Sequence, residues 1–185
     1  TNMASTLKVD TIAHTGGTTA MTVDSAGRIT EPAKPFFHVA GLGSNMDVGT
    51  GSDTVIPFSS VVHDVGSNWN TSDHRFTAPV NGIYQFCASV RIDTLDEAAN
   101  YIRLGLRGEQ GTGSAIPTIS DFFDLLDPGA YDEDTTYKSF QLSRAIYLTA
   151  GNRMRATIRQ QGGTSNHSHV DVTGQYTQFS GYLIG

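Results

Sequence analysis

Asn166-His167-Ser168-His169 sets two imidazoles two residues apart. On a β-strand that spacing points both rings to one side, and paired imidazoles are good ligands for transition metals. His167 and His169 are therefore a candidate metal site. Gly162-Gly163-Thr164-Ser165 precedes the pair and Asp171 follows it, a setting that suits a plain polar loop equally. Asp121-Phe122-Phe123-Asp124-Leu125-Leu126-Asp127-Pro128-Gly129-Ala130-Tyr131-Asp132-Glu133-Asp134 is an acidic, aromatic insertion. Its carboxylates offer oxygen ligands of the kind Ca2+ takes, but the spacing matches no EF-hand. The plainer expectation is a solvated loop whose Phe122, Phe123, Leu125 and Leu126 pack on the body of the protein.

Two further groups suit binding. Ser67-Asn68-Trp69-Asn70-Thr71-Ser72-Asp73-His74 holds the only Trp of the chain. A Trp flanked by Asn68 and Asn70 suits a sugar, by stacking plus amide hydrogen bonds; packing of the ring inside the domain is the competing expectation. Arg103 and Arg107 on one strand pattern, and Arg153, Arg155 and Arg159 on another, all fall on outward positions. If those strands are neighbours, they form a basic stripe on an acidic protein. Such a stripe meets anionic surface glycans, or it pairs internally with acidic segments or with a neighbouring subunit.

Support for catalysis is thin. The sequence has no serine nucleophile elbow, no phosphate-binding glycine loop and no zinc-protease helix motif. Paired carboxylates would mark a polysaccharide-cleaving enzyme; Asp64, Asp93, Asp96 and Glu97 are present but form no motif. The chain is expected to be a binding protein rather than an enzyme, with no cofactor required.

The elements that must position these groups are strands. Tyr84, Phe86, Ala88, Val90 and Ile92 alternate with Gln85, Ser89 and Arg91. Ile102, Leu104 and Leu106 repeat the pattern, as do Met154, Ala156 and Ile158. Phe140, Leu142, Ile146 and Leu148 form another strand, with Arg144 interrupting the apolar face as a candidate bulge. No long segment keeps a helical period, although a helical turn near Asp121 to Leu126 is compatible with the sequence. Many short strands imply an all-β sandwich or barrel.

The 185 residues suit one domain with a small appendage. Residues 1–31 read as a small β region: a strand over Thr6 to Ile12, a Gly16-Gly17 turn, and a hairpin over Ala20 to Thr30. It is too small to hold a core of its own. Residues 32–35 complete a Pro-rich, stiff linker, and residues 36–185 are the main domain. Met3 stands as a candidate natural start. Net charge is −6, so nucleic acid is not an expected partner. No apolar run approaches the roughly 20 residues of a membrane span, and the polar first residues are not a secretory signal. Cys87 is the only cysteine. It excludes internal disulfides and is expected as a buried or half-buried small hydrophobe.

Arg75-Phe76-Thr77-Ala78-Pro79-Val80-Asn81-Gly82-Ile83-Tyr84-Gln85-Phe86 reads as strand, Pro/Gly corner and strand. With Tyr147-Leu148-Thr149-Ala150-Gly151-Asn152-Arg153-Met154 and the closing Phe179-Ser180-Gly181-Tyr182-Leu183 it resembles, in order and spacing, the signature of C1q-like domains. These are jelly rolls shared with the tumour necrosis factor fold, and the resemblance covers roughly residues 35–185. It implies a C1q/TNF-like jelly-roll sandwich preceded by the small N-terminal β-hairpin region, and a binding role. It also implies a homotrimer with the terminal strand close to the threefold axis. The last strand carries Phe179 and Leu183 on one face and Tyr182 and Ile184 on the other. Apolar residues on both faces call for burial on both sides, which makes these four the candidate trimer interface. On such an axis, three copies of His167 and His169 would present six nitrogens; His-x-His motifs of this kind resemble metal-binding repeats in some phage fibre tips.

Ser5-Thr6-Leu7-Lys8-Val9-Asp10-Thr11-Ile12 and Met21-Thr22-Val23-Asp24-Ser25-Ala26-Gly27-Arg28-Ile29-Thr30 resemble N-terminal modules of bacteriophage fibre and virion appendage proteins. The combined expectation is a trimeric virion protein, a tail fibre or capsid appendage. Residues 1–31 would join it to other virion proteins, and its head would contact host surface glycan or protein at the particle exterior. A bacterial surface or secreted C1q-like module with no virus involved is the alternative, and an enzyme acting on surface polysaccharide is a further one.

Overall fold

The computed structural model describes residues 7–111 and 122–185. The chain divides into two compact units, Thr1–Lys34 and Pro35–Gly185. The first holds β1 (Thr11–Ala13), β2 (Thr19–Val23) and β3 (Ile29–Thr30), an antiparallel sheet in that order. Ile12 pairs with Met21 and Val23 with Ile29, while Thr11 and Thr30 pair with Thr22. One face is thus aliphatic and the other threonine. The expected hairpin over Ala20 to Thr30 is present. Its turn is fixed by Asp24, which accepts from the amides of Ala26 and Arg28 and from Arg28 Nε. The strand expected over Thr6 to Ile12 is shorter, Thr11–Ala13, and Thr6 lies outside the described residues. No described residue of this unit is fully buried, as its size dictates.

The second unit holds β4 (Phe36–Leu42), β5 (Met46–Asp47), β6 (Thr54–Val55), β7 (Phe58–Val65), β8 (Trp69–Asn70), β9 (Arg75–Thr77), β10 (Gly82–Leu95) and β11 (Ala99–Glu109). After these come β12 (Phe122–Leu126), β13 (Thr135–Leu148), β14 (Arg153–Gly162), β15 (His169–Val170) and β16 (Gln178–Leu183). They form two antiparallel sheets. In the first, β10 is central: β13 runs along one edge of it, β16 and then β15 along the other, and β4 and β7 continue beyond β16. In the second the order is β12-β11-β14-β9-β8, with β6 also on β14. The expected all-β sandwich is what the chain adopts.

Side-chain alternation explains the layers. Tyr84, Phe86, Ala88, Val90 and Ile92 of β10 all point into the core, and so do Ile102, Leu104 and Leu106 of β11 and Met154, Ala156 and Ile158 of β14. Between the sheets lies an aromatic cluster. Phe37 stacks on Phe76 at 4.8 Å between ring centroids and on Trp69 at 5.3 Å, and meets Phe179 edge-on at 5.0 Å. Gly181 owes its identity to this cluster: a Cβ there would stand 2.6 Å from Phe86 and 2.7 Å from Phe37. The corner after β9 is closed by Asn81, whose side-chain oxygen accepts from the Ala150 amide, and by the Tyr84 hydroxyl, which donates to the Val80 carbonyl.

Three local expectations are corrected. Arg144 marks no bulge, because β10 and β13 keep one register from Gly82–Leu148 to Asp93–Tyr137. β13 is an edge strand, and the Arg144 side chain runs out past that edge to the ring of Phe122, 5.9 Å away. A charge on the inward positions of an edge also discourages edge-to-edge association. Phe122–Leu126 is a strand rather than a helical turn, because it pairs with the open edge of β11; a 3-10 turn follows it at Pro128–Ala130. Cys87 is exposed rather than buried. It shares the parity of Gln85 and Ser89, and that side of β10 faces away from the core.

Candidate functional site

Two outward surfaces, one on each sheet, hold Tyr182 and Ile184 and the arginine stripe among the residues that the sequence singles out. On the first sheet, Ile83 of β10 stands opposite Tyr147 of β13, and Gln85 stands opposite Tyr182 of β16. Ile184 follows on, its amide donating to the Ile83 carbonyl. Ile83, Tyr147, Tyr182 and Ile184 are all exposed and form an apolar patch where β10, β13 and the chain end meet. Beyond it the same face becomes a trough of about 410 Å3 lined by small and polar residues, among them Cys87, Ser89, Ser143 and Ser180. At its far end Arg91 is clamped. Its guanidinium lies 3.9 Å from the ring of Tyr176 and 4.5 Å from that of Tyr137. It donates to Asp93 at 2.9 Å and to Asp171.

The four candidate interface residues divide between the two sides of β16. Phe179 is sealed in the protomer's own core, and Leu183, half-buried, packs against that core. Tyr182 and Ile184 are the outward pair. Burial of both faces is therefore half met within one chain: the sandwich covers one side of β16 and leaves the other open. Ile83 and Tyr147 join that open side and were missed in the sequence. The signal was present, since Ile83 has the parity of Gln85 and Tyr147 that of Ala145.

On the second sheet the expected stripe is present. β11 and β14 are neighbours, with Arg103 opposite Arg159, Arg107 opposite Arg155 and Glu109 opposite Arg153. Much of its charge is paired internally. Arg103 grips Asp53 at 2.8 Å and lies over the ring of Phe123 at 4.7 Å. Glu109, only 2% exposed, receives Arg155, Arg75 at 3.2 Å and Arg107 at 3.3 Å. Burial pushes Arg155 below the ordinary arginine range; Glu109 opposes that, and the like charges of Arg75 and Arg107 add to it. Glu109, Arg75 and Asp53 were not anticipated. Glu109 is two residues from Arg107 on one strand face, but only the fold brings Arg75 and Asp53 there.

The other candidates are scattered. Trp69 is buried, with its ring face against Phe37 and edge contacts to Phe58 and Phe179. Its packing role is thus met, and the face that would stack on a sugar is occupied. Asp64 accepts from the amides of Asn68 and Trp69. The Asn68 side chain donates to the Val65 carbonyl, and Asn70 accepts from Ser72 and Asp73. These contacts shape the loop, beside a shallow depression of about 470 Å3.

His169 lies on β15, but His167 lies in the turn before it, so the strand geometry that would align them holds for one ring only. Each has its own carboxylate: His167 Nε2 sits 2.7 Å from Asp134, and His169 Nδ1 2.7 Å from Asp47. In the acidic insertion, Phe122, Leu126 and Tyr131 pack against the core, while Phe123 and Leu125 point outward. Asp127 caps the 3-10 turn, and Asp134 accepts from the Glu97 amide. Asp121 lies outside the described residues. Among the described residues of the chain, no three His, Cys, Asp or Glu side chains come together as a metal site.

No family model matches the chain. Its fold is similar to that of the globular domain of zebrafish complement 1qA protein, at 15% identity and a TM-score of 0.53, over 82% of this chain and 98% of that one. It is similar to the Eiger TNF of S. frugiperda, at 15% identity and a TM-score of 0.58, over 83% and 94%. It is also similar to murine APRIL, at 11% identity and a TM-score of 0.57, over 81% and 98%. The second unit of this chain has the C1q/TNF-like jelly-roll fold.

Proposed function

We propose that the chain is a trimeric binding module of a bacteriophage particle, a tail fibre or capsid appendage whose jelly-roll head contacts the host surface. The observation that carries the trimer is the exposed patch of Ile83, Tyr147, Tyr182 and Ile184, on the outward face of a sheet and partly made by the terminal strand. A soluble domain that leaves clustered tyrosine and isoleucine in water gains by covering them, and a closed ring of identical subunits does so with one kind of contact. The C1q/TNF-like fold supports the same reading, because the sequence resemblance implies a homotrimer with this strand near its threefold axis.

Binding would work by avidity: three weak sites held rigidly in one particle engage a repetitive surface such as glycan. The virion assignment rests on the resemblance of residues 5–30 to phage appendage modules. It agrees with a three-stranded sheet whose aliphatic face finds no cover among the described residues of its own unit, as expected of a piece that attaches to another protein. Light scattering on the full chain and on a chain beginning at Pro35 tests the assembly. Trimers in both cases support the head as the assembling unit and the N-terminal sheet as the attachment. A trimer only with the first 34 residues moves the assembling force there, and monomers in both remove avidity. Fluorescently labelled protein added to host cells tests the surface contact: an even coat supports it, and no retention overturns it.

A further inference from the structure

The outward face of the second sheet is overcharged. Arg75, Arg103, Arg107, Arg153, Arg155 and Arg159 lie on or beside it. Among the described residues, the carboxylates that meet them are Asp53, Asp73 and Glu109. The excess is local. Three guanidinium groups converge on the single buried carboxylate of Glu109, with only Asp73 near Arg75 at 3.8 Å to assist. Burial first, and then the like charges of Arg75 and Arg107, depress Arg155 against the pull of Glu109, yet an arginine does not lose its proton in a protein, so the group stays charged there. An anion from outside offsets this local excess of positive charge.

The shape of the face selects the anion. From Arg103 to Arg107 along β11 is about 13 Å at ~3.3 Å per residue, and Arg153, Arg155 and Arg159 run parallel one strand away. This is a track for a chain carrying several charges rather than a seat for one small ion. Aromatic rings flank it: Phe123, exposed beneath Arg103, and Tyr101, 6.0 Å from Arg159. Guanidinium forks suit carboxylate and sulfate groups, and exposed rings suit the apolar faces of sugars. A nucleic acid would present a much denser charge to a protein whose total is −6.

We infer that the outward face of the β11–β14 sheet is a binding track for an acidic polysaccharide, with Arg107 and Arg153 as its accessible cations. The inference rests on the reading of the chain as a surface-binding module and names the chemistry that the module recognises. The track lies on the other sheet from the apolar patch, so self-association through that patch leaves it free.

Calorimetric titration of the full chain tests it with four probes: a heparin octasaccharide, an octagalacturonate, maltooctaose and a single-stranded DNA octamer. The expected result is saturable, salt-sensitive binding of one or both acidic sugars, and none of the neutral one. Arg107→Gln and Arg153→Gln, each with unchanged melting temperature, should weaken binding about tenfold per lost guanidinium contact. Arg153 meets no carboxylate among the described residues, so its variant keeps the test valid if Arg107→Gln perturbs the Glu109 cluster. No heat with either acidic sugar overturns the inference, as does wild-type affinity in both variants or DNA binding as tight as sugar. If acidic sugars fail while labelled protein still coats host cells, this track is wrong and the surface-binding reading stands. If cells are not coated either, the reading itself falls.

Discussion

Phe179 and Tyr182 lie three residues apart on β16 and face opposite sides of the sheet: Phe179 is 0% exposed inside the aromatic core, and Tyr182 is 45% exposed on the outer face. This divides two effects that the sequence alone leaves mixed. Phe179→Ala should cost about 3–5 kcal/mol of protomer stability, since it empties a close-packed aromatic site. Tyr182→Asp should cost little within one protomer but place a charge in the proposed subunit contact. The expected outcome by light scattering is a folded monomer, checked by an unchanged far-ultraviolet spectrum. A Tyr182→Asp protein that remains trimeric would refute this patch as the assembling surface.

The cluster around Glu109 gives a second prediction. Removing the one carboxylate beneath Arg75, Arg107 and Arg155 leaves three like charges facing one another in a partly dry site. Glu109→Ala should therefore destabilise the domain by about 3–5 kcal/mol, the scale for breaking a buried pair from one side. Chemical denaturation read from Trp69 fluorescence measures it. Arg155→Met on the Glu109→Ala background should recover part of the loss, because it removes a charge and keeps the aliphatic packing. No recovery would mean that the loss comes from packing rather than repulsion.

Trp69 itself yields a third. With its ring against Phe37, Phe58 and Phe179, its emission should be blue-shifted in the folded protein and should not respond to sugars. A ligand-dependent shift would mean that the loop of residues 67–74 opens to expose the ring, and would return that loop to the list of binding sites.

What was legible beforehand follows from how local each signal is. The faces of β10, β11 and β14 were readable because alternation is written into consecutive residues, and Tyr84, Phe86 and Val90 mark it without ambiguity. Gly181 was readable as part of a motif, although its reason, the lack of room over Phe37 and Phe86, lies in residues far along the chain. Cys87 was misjudged by composition when its parity with Gln85 and Ser89 already placed it outside. Arg144 was misjudged because nothing local says that β13 is an edge, where an inward charge can escape sideways to Phe122. The arginine stripe was visible as two runs, but its balance depended on Glu109 and Asp53, which meet it through strand pairing and loop closure. The histidine pair is legible in the sequence, but not that Asp134 and Asp47, distant in the chain, each take one ring.

Asp171 provides a prediction in pH. Burial alone pushes its carboxyl up, but the backbone and side-chain donors of Thr173 and the guanidinium of Arg91 outweigh burial and hold it below the ordinary value of 3.8. A carboxyl whose folded value is depressed binds protons more readily when unfolded. Its stabilising contribution is therefore complete above that ordinary value and drains away as pH falls through the folded one. Arg91, released from Asp171, would then be held only by Asp93 and the rings of Tyr137 and Tyr176. The melting temperature of the wild type should drop as the solution is taken below pH 3.8. In Asp171→Asn it should start lower at neutral pH and fall less steeply over the same acid range, because the variant has no such proton to take up. Parallel pH profiles for the two proteins would show that Asp171 does not carry the acid sensitivity, and would move it to Asp134, whose carboxyl the Glu97 amide and His167 hold below the ordinary value.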